Sequence, residues 1–155
     1  MKLLNITYPD INNGPGCRVT IWLPGCTHRC PGCHNAWTAE YDQGYPFDDK
    51  ARSELFDILD KDYISGLTVS GGDPLDQSDE ILGDLAGLLS EVKERYPDKT
   101  IWLYTGYTLD TLHDMQLDVL EHCDVLVDGP YIEALRDPSL AFRGSSNQHI
   151  IHLHE

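Results

Sequence analysis

Basic residues are scarce in this chain: 11 Lys and Arg stand against 26 Asp and Glu, a formal charge of −15 at pH 7. A surface so short of cations cannot displace the counterions of a phosphate backbone, so nucleic acid is not an expected partner. The acidic excess reads as a solvated surface, and the sharper alternative is an acidic face that meets a basic partner. Long apolar runs are missing too, so no membrane span is expected. Residues Met1 to Asp10 lack the apolar core of a secretory signal, and a cytoplasmic location is the expectation. The cysteine count is 5, an odd number with three clustered, which does not resemble a disulfide framework. A last shortage is the most telling. Cys26, Cys30 and Cys33 stand as Cys-x-x-x-Cys-x-x-Cys, and no fourth cysteine follows at matching distance. A closed zinc site takes four ligands, and a cubane iron–sulfur cluster usually takes four thiolates. Three thiolates point to a cluster with one iron left open, where a substrate or cofactor binds.

The 155 residues, 41% of them apolar, fit one domain over residues 1–155 with one sizeable core. No internal repeat or low-complexity tract is present. Cys17 to Leu23 is rich in β-branched and aromatic residues and reads as a strand that ends at the cysteine loop. Helical spacing follows from Lys50 to Asp60, then a short strand from Gly66 to Ser70. A second helix is predicted over Ser78 to Arg95, with Ile81, Leu85, Leu88, Leu89 and Val92 on one face and Pro97 beyond its end. Thr100 to Tyr104 is a strand; Leu109, Leu112 and Met115 mark a third helix with Thr108 as its N-cap. Asp124 to Val127 is a strand, and Gln148 to Leu153 forms a last one. This alternation predicts an α/β fold with a mainly parallel sheet and crossovers of one hand. Too few strands are readable for a closed eight-stranded barrel, so a partial, open (β/α) barrel is expected. In such a sheet every loop that follows a strand opens on one edge. The cysteine loop, Gly71-Gly72-Asp73-Pro74, Thr105-Gly106-Tyr107 and Asp128-Gly129-Pro130 are therefore expected to converge on one rim.

The segment Gly25-Cys26-Thr27-His28-Arg29-Cys30-Pro31-Gly32-Cys33-His34-Asn35 resembles the cluster loop of the radical S-adenosylmethionine superfamily. Further segments narrow the likeness: Ser70-Gly71-Gly72-Asp73-Pro74-Leu75, Trp102 to Tyr107, Val127 to Pro130, Asp137 to Leu140 and Arg143 to Gln148. They are similar to segments of the family that activates anaerobic ribonucleoside-triphosphate reductase, over nearly the whole chain. The resemblance implies that Cys26, Cys30 and Cys33 hold a [4Fe–4S] cluster and that S-adenosylmethionine binds its open iron. It implies reductive cleavage of the sulfonium, giving a radical that takes hydrogen from a glycine of the reductase large subunit. An electron donor such as flavodoxin is implied, and a homodimer is compatible. Gly71 and Gly72 would let backbone approach the ligand, and Asp73 would accept from its ammonium group. Superfamily members often carry Glu at the position of Asp73 and an aromatic residue before the third cysteine. Here that residue is Gly32, so adenine contacts would come from the backbone of Gly32 and Cys33, with His34 beside them. No side chain is singled out as catalytic.

Plainer readings stand beside these. The cysteines could form a zinc site completed by His28, His34 or Cys17. Cys17 and Cys123 are expected as core thiols. Gly71-Gly72 could be a tight turn and Thr105-Gly106-Tyr107 a helix entry. Asp128 could be a rim residue or a turn former, and Arg143 could hold an anion or cap a helix. His149, His152 and His154 are expected to share a strand face in a solvated tail. Rival functions are activation of another glycyl-radical enzyme, a small-molecule radical enzyme, and a non-enzymatic zinc or cluster module.

Overall fold

The computed structural model describes residues 1–28, 31–32 and 38–153. Two sheets form. Strand β1 (Lys2–Leu3) pairs antiparallel with β4 (Tyr45–Pro46). The main sheet has six strands in the order β2 (Asn5–Asp10), β3 (Arg18–Leu23), β5 (Gly66–Gly71), β6 (Thr100–Tyr104), β7 (Val125–Asp128) and β8 (His149–His152). The central pairs β3–β5, β5–β6 and β6–β7 are parallel, and both edge strands are antiparallel to their neighbours. The expectation of an α/β fold with a mainly parallel sheet therefore holds. Among the described residues the sheet is open, with β2 and β8 as its edges. Each crossover between parallel strands advances by one place in the same direction.

Among the described residues three α-helices lie in these crossovers: α1 (Asp49–Leu59), α2 (Asp79–Arg95) and α3 (Asp114–Leu120). Asp48 caps α1 through Ala51 N at 3.0 Å, and Ser78 caps α2 through Ile81 N at 3.3 Å. Acidic residues open α2 and Lys93 and Arg95 close it, both matched to the helix dipole. All three helices cover one face of the sheet. Val19, Ile21 and Leu23 of β3, Leu67 and Val69 of β5, Ile101 and Leu103 of β6 and Leu126 of β7 join their apolar residues in one core. Alternation sends the remaining strand residues to the other face. There Trp102, Val125 and Val127 pack with Tyr104, Phe142 and Ile150. Arg18 is wholly buried. Its guanidinium donates to Thr68 Oγ1 (2.9 Å), Pro15 O (3.2 Å), Thr100 Oγ1 (2.9 Å), Leu67 O (2.9 Å) and Thr100 O (2.8 Å). Arg18 thereby ties the starts of three parallel strands together. Burial lowers its pKa to about 10, against the opposing influence of Tyr104, Asp124 and Asp10.

Several expectations shift. The third helix begins at Asp114 rather than near Leu109, because a short 3-10 turn over Leu109–Thr111 intervenes, and the Thr108 side chain caps nothing. On α2 the buried face uses Leu82 in place of Ile81. The final strand forms as β8. His149 pairs with Asp128 and His152 with Val125, so these histidines lie on opposite faces, as any strand residues three apart must. His154 lies outside the described residues. Cys123 is a core thiol, and burial pushes its pKa up.

Candidate functional site

The four loops expected on one rim do meet there, and hydrogen bonds join them. Gly72 N donates to Leu23 O (2.8 Å) and Asp73 N to Gly25 O (2.7 Å), so the β5–α2 loop is laid directly on the start of the cysteine loop. This contact needs both glycines. A Cβ on Gly71 (φ +121°) would lie 2.5 Å from Leu23 N, and one on Gly72 would lie 2.6 Å from Gly25 C. Close backbone approach is thus used between two loops of the chain itself. Gln77 adds a bond from Nε2 to Pro24 O at 3.0 Å.

Asp73 is the hub of the rim, with 1% of its surface exposed. Its carboxylate accepts from Leu75 N (2.9 Å), Thr105 Oγ1 (2.8 and 3.0 Å) and Gly106 N (2.9 Å), and pairs with His28 Nε2 at 2.6 Å. The His28 ring also meets Tyr107 edge-on, with centroids 4.6 Å apart. The hydrogen bond to Asp73 raises the His28 pKa; burial opposes it, and the charges of Asp73 and Asp76 add to it. Thr105-Gly106-Tyr107 is therefore a rim loop and not merely a helix entry.

A second carboxylate holds the cysteine loop itself. Asp76 Oδ2 accepts from Thr27 N (2.7 Å) and Thr27 Oγ1 (2.5 Å), and Asp76 Oδ1 accepts from the Tyr107 hydroxyl (3.1 Å). Tyr41 Oη donates to Asp76 O at 2.9 Å, and its ring fills the space where Gly25 (φ +102°) lacks a side chain. Burial acts to raise the Asp76 pKa, but the bonds from Thr27, Tyr107 and Tyr41 outweigh it and hold the group below the ordinary carboxylate value. Burial, with the nearby Asp76 charge, lifts the Tyr107 hydroxyl to about 12.

Of the predicted cluster ligands, Cys26 is half-buried at this rim. Its thiol, a ring nitrogen of His28 and a carboxylate oxygen of Asp76 all lie within 4.8 Å of one another. Cys30, Cys33 and His34 lie outside the described residues. Gly32 (φ +73°) sits against the Glu133 carboxylate, a Cβ there falling 2.8 Å from its carboxyl carbon. That contact brings in the segment after β7. Asp128 is buried and accepts from Leu109 N at 2.9 Å, which joins the end of β7 to the loop after β6. Arg143 Nη1 donates to Gln148 O at 3.0 Å and caps no helix. Cys17 cannot complete a site with Cys26. It precedes β3 whereas Cys26 follows it, and six strand residues span about 20 Å. Sequence reasoning missed Asp76, His28 as a tether, and Tyr41. The one available signal was two acidic residues spaced three apart after the glycine pair.

The family model for a 4Fe-4S single cluster domain matches residues 12–151. The chain is 42% identical over 149 residues to the anaerobic ribonucleoside-triphosphate reductase-activating protein of Escherichia coli (strain K12), covering 94% of this chain and 96% of that one. The chain belongs to this family. Activating proteins of the same name from Haemophilus influenzae (44% over 148 residues, 94% of each chain) and Enterobacteria phage T4 (44% over 145 residues, 92% of this chain and 89% of that one) agree. A thiol-rich loop suits iron and sulfide far better than a hard cation. Cys26 presents its sulfur at the rim, and His28 and Asp76, the other groups near it, are already engaged by Asp73 and Thr27. Cys26, the predicted ligand among the described residues, thus fits the 4Fe-4S cluster that the matching family model describes. Among the described residues no helix is long and apolar enough to cross a membrane.

Proposed function

We propose that this chain is a radical S-adenosylmethionine enzyme that installs a glycyl radical on anaerobic ribonucleoside-triphosphate reductase. One observation carries the reading: the cysteine loop is packed on Gly71-Gly72-Asp73 at the carboxyl edge of the parallel strands, where ligands of α/β sheets bind. Cys26, Cys30 and Cys33 would hold a [4Fe–4S] cluster. When bound, the cluster would supply the electron for reductive cleavage of the sulfonium, the chemistry from which removal of the glycine hydrogen would follow.

The chain's own residues bind and orient. The backbone from Gly71 to Asp73, together with Gly32, Cys33 and His34, lines the S-adenosylmethionine site. The Asp73 carboxylate, already engaged by Thr105, Gly106, Leu75 and His28, keeps these loops in register. The six-stranded sheet forms the wall of a partial, open barrel in one domain over residues 1–155, and its unclosed side admits the glycine loop of the reductase large subunit. A reducing cytoplasm, a flavodoxin-like electron donor and a homodimeric state complete the reading.

The test is anaerobic. The protein rebuilt with iron and sulfide is expected to bind about four irons, to release methionine and 5′-deoxyadenosine with a reductant, and to produce a glycine-centred paramagnetic signal on the reductase. One zinc and no iron would end the enzyme reading. Cleavage without the glycine signal would point instead to another glycyl-radical partner or to a small-molecule substrate.

A further inference from the structure

Asp76 is the half-buried carboxylate beside Cys26, and its partners are unusual in one respect. Thr27 N, which it holds at 2.7 Å, belongs to the peptide bond that leaves Cys26. Backbone amides next to cluster cysteines are natural donors to sulfur, and such bonds, like a more positive surrounding charge, make a cluster easier to reduce. Asp76 takes that amide for itself, and takes the Thr27 hydroxyl as well at 2.5 Å. It also brings a negative charge within 4.8 Å of the Cys26 sulfur. Both effects act in one direction, because an added electron is opposed by a nearby anion and loses a stabilising hydrogen bond.

We infer that Asp76 is a positioning residue that fixes the Cys26–Thr27 peptide and lowers the reduction potential of the cluster. The inference rests on the cluster proposed at Cys26, Cys30 and Cys33. A strongly reducing centre is what cleavage of a sulfonium demands. The other groups around Asp76 support the role. Tyr107 Oη (3.1 Å), which donates to the carboxylate, and Tyr41 Oη, which donates to the Asp76 carbonyl (2.9 Å), hold the residue in place as uncharged donors, so its negative charge is dispersed but not cancelled.

The experiment is a redox titration of the rebuilt, cluster-loaded full chain, followed by the paramagnetic signal of the reduced cluster. Asp76→Asn keeps an acceptor for Thr27 N–H but removes the charge. It is expected to raise the reduced-to-oxidised ratio at a fixed potential about tenfold, equal to about 59 mV for a one-electron couple. Asp76→Glu, which keeps the charge, is expected to stay within about threefold of the parent. A role confined to folding would leave the potential unmoved. An unchanged or lowered potential in a loaded Asp76→Asn protein overturns the inference while leaving the proposed function intact. A parent chain that takes up no iron ends both. Should Asp76→Asn fail to load, Tyr107→Phe decides: loss of its hydroxyl leaves the carboxylate charge less neutralised and is expected to lower the ratio about twofold, and no change or a rise overturns the inference.

Discussion

Replacing Asp73 by Asn removes one charge and swaps one oxygen for an amino group at a site that is 1% exposed. The remaining oxygen still serves Leu75 N and Thr105 Oγ1. The new amino group faces Gly106 N–H, itself a donor that held the lost oxygen at 2.9 Å. A buried donor left unmet costs about 1–3 kcal/mol, and a hydrogen bond to a charged group contributes about 1.5–3 kcal/mol. The second figure applies to the 2.6 Å pair with His28, and the 18% exposure of the His28 side chain reduces it. A loss of about 3 kcal/mol follows, against a typical total of about 5–15 kcal/mol. For a chain of this size each kcal/mol moves Tm by about 2–4 °C, so a fall of about 6–12 °C is expected. The assay is urea unfolding of the iron-free protein by circular dichroism, with Asp118→Asn as an exposed control expected to stay within about 0.5 kcal/mol. Amide exchange supplies a second reading: Gly106 N–H should lose protection while Leu75 N–H keeps it. Parent-like stability together with unchanged exchange at Gly106 would refute the hub.

Three further variants test other parts of the fold. Gly72→Ala puts a methyl group 2.6 Å from Gly25 C, a backbone that cannot swing aside, and is expected to cost about 1–3 kcal/mol. Gly87→Ala on α2 meets nothing within 4 Å and is expected to add about 0.5–1 kcal/mol in the same unfolding assay; equal signs for the two would contradict the packing. Asp10 tests the pH dependence. Burial raises its pKa, but bonds from Asn13, Thr20 and Asn12 outweigh it, so the folded value lies below the ordinary 3.8. Its stabilising contribution is present above that ordinary value and is lost as pH falls through the folded value. The parent should therefore lose more stability than Asp10→Asn as the medium is acidified below about pH 5, and parallel acid-unfolding curves would count against the assignment.

Much of the framework was legible because it is local. Strand β6 was read with the bounds it has, since Thr100–Tyr104 is a compact β-branched and aromatic run between turn residues. Helix α2 was read within a residue because Ser78 and Pro97 punctuate a clear apolar stripe. The start of α3 was misread: Leu109 and Leu112 keep helical spacing through a 3-10 turn, and spacing alone does not separate the two. Strand β2 went unread because Pro9 and mostly polar residues blur its alternation, a composition that edge strands tolerate. The rim was legible from the parallel rule alone, yet its wiring was not. The sequence placed Asp73 on the rim, and the structure adds that its oxygens are met by His28, Leu75, Thr105 and Gly106.

Local periodicity, turn chemistry and the spacing of Cys26, Cys30 and Cys33 were enough to determine the alternation of strands and helices, the side of the sheet where the loops gather, and the thiol chemistry of that side. Tertiary structure alone decided how the cysteine loop is held. Asp73 reaches His28 across 45 residues and Asp76 reaches Thr27 across 49. Pairings of that separation depend on how adjacent parallel strands register, which no short-range pattern in the chain encodes. The antiparallel edges β2 and β8 belong to the same class, because an edge is defined only by what fails to pair beyond it.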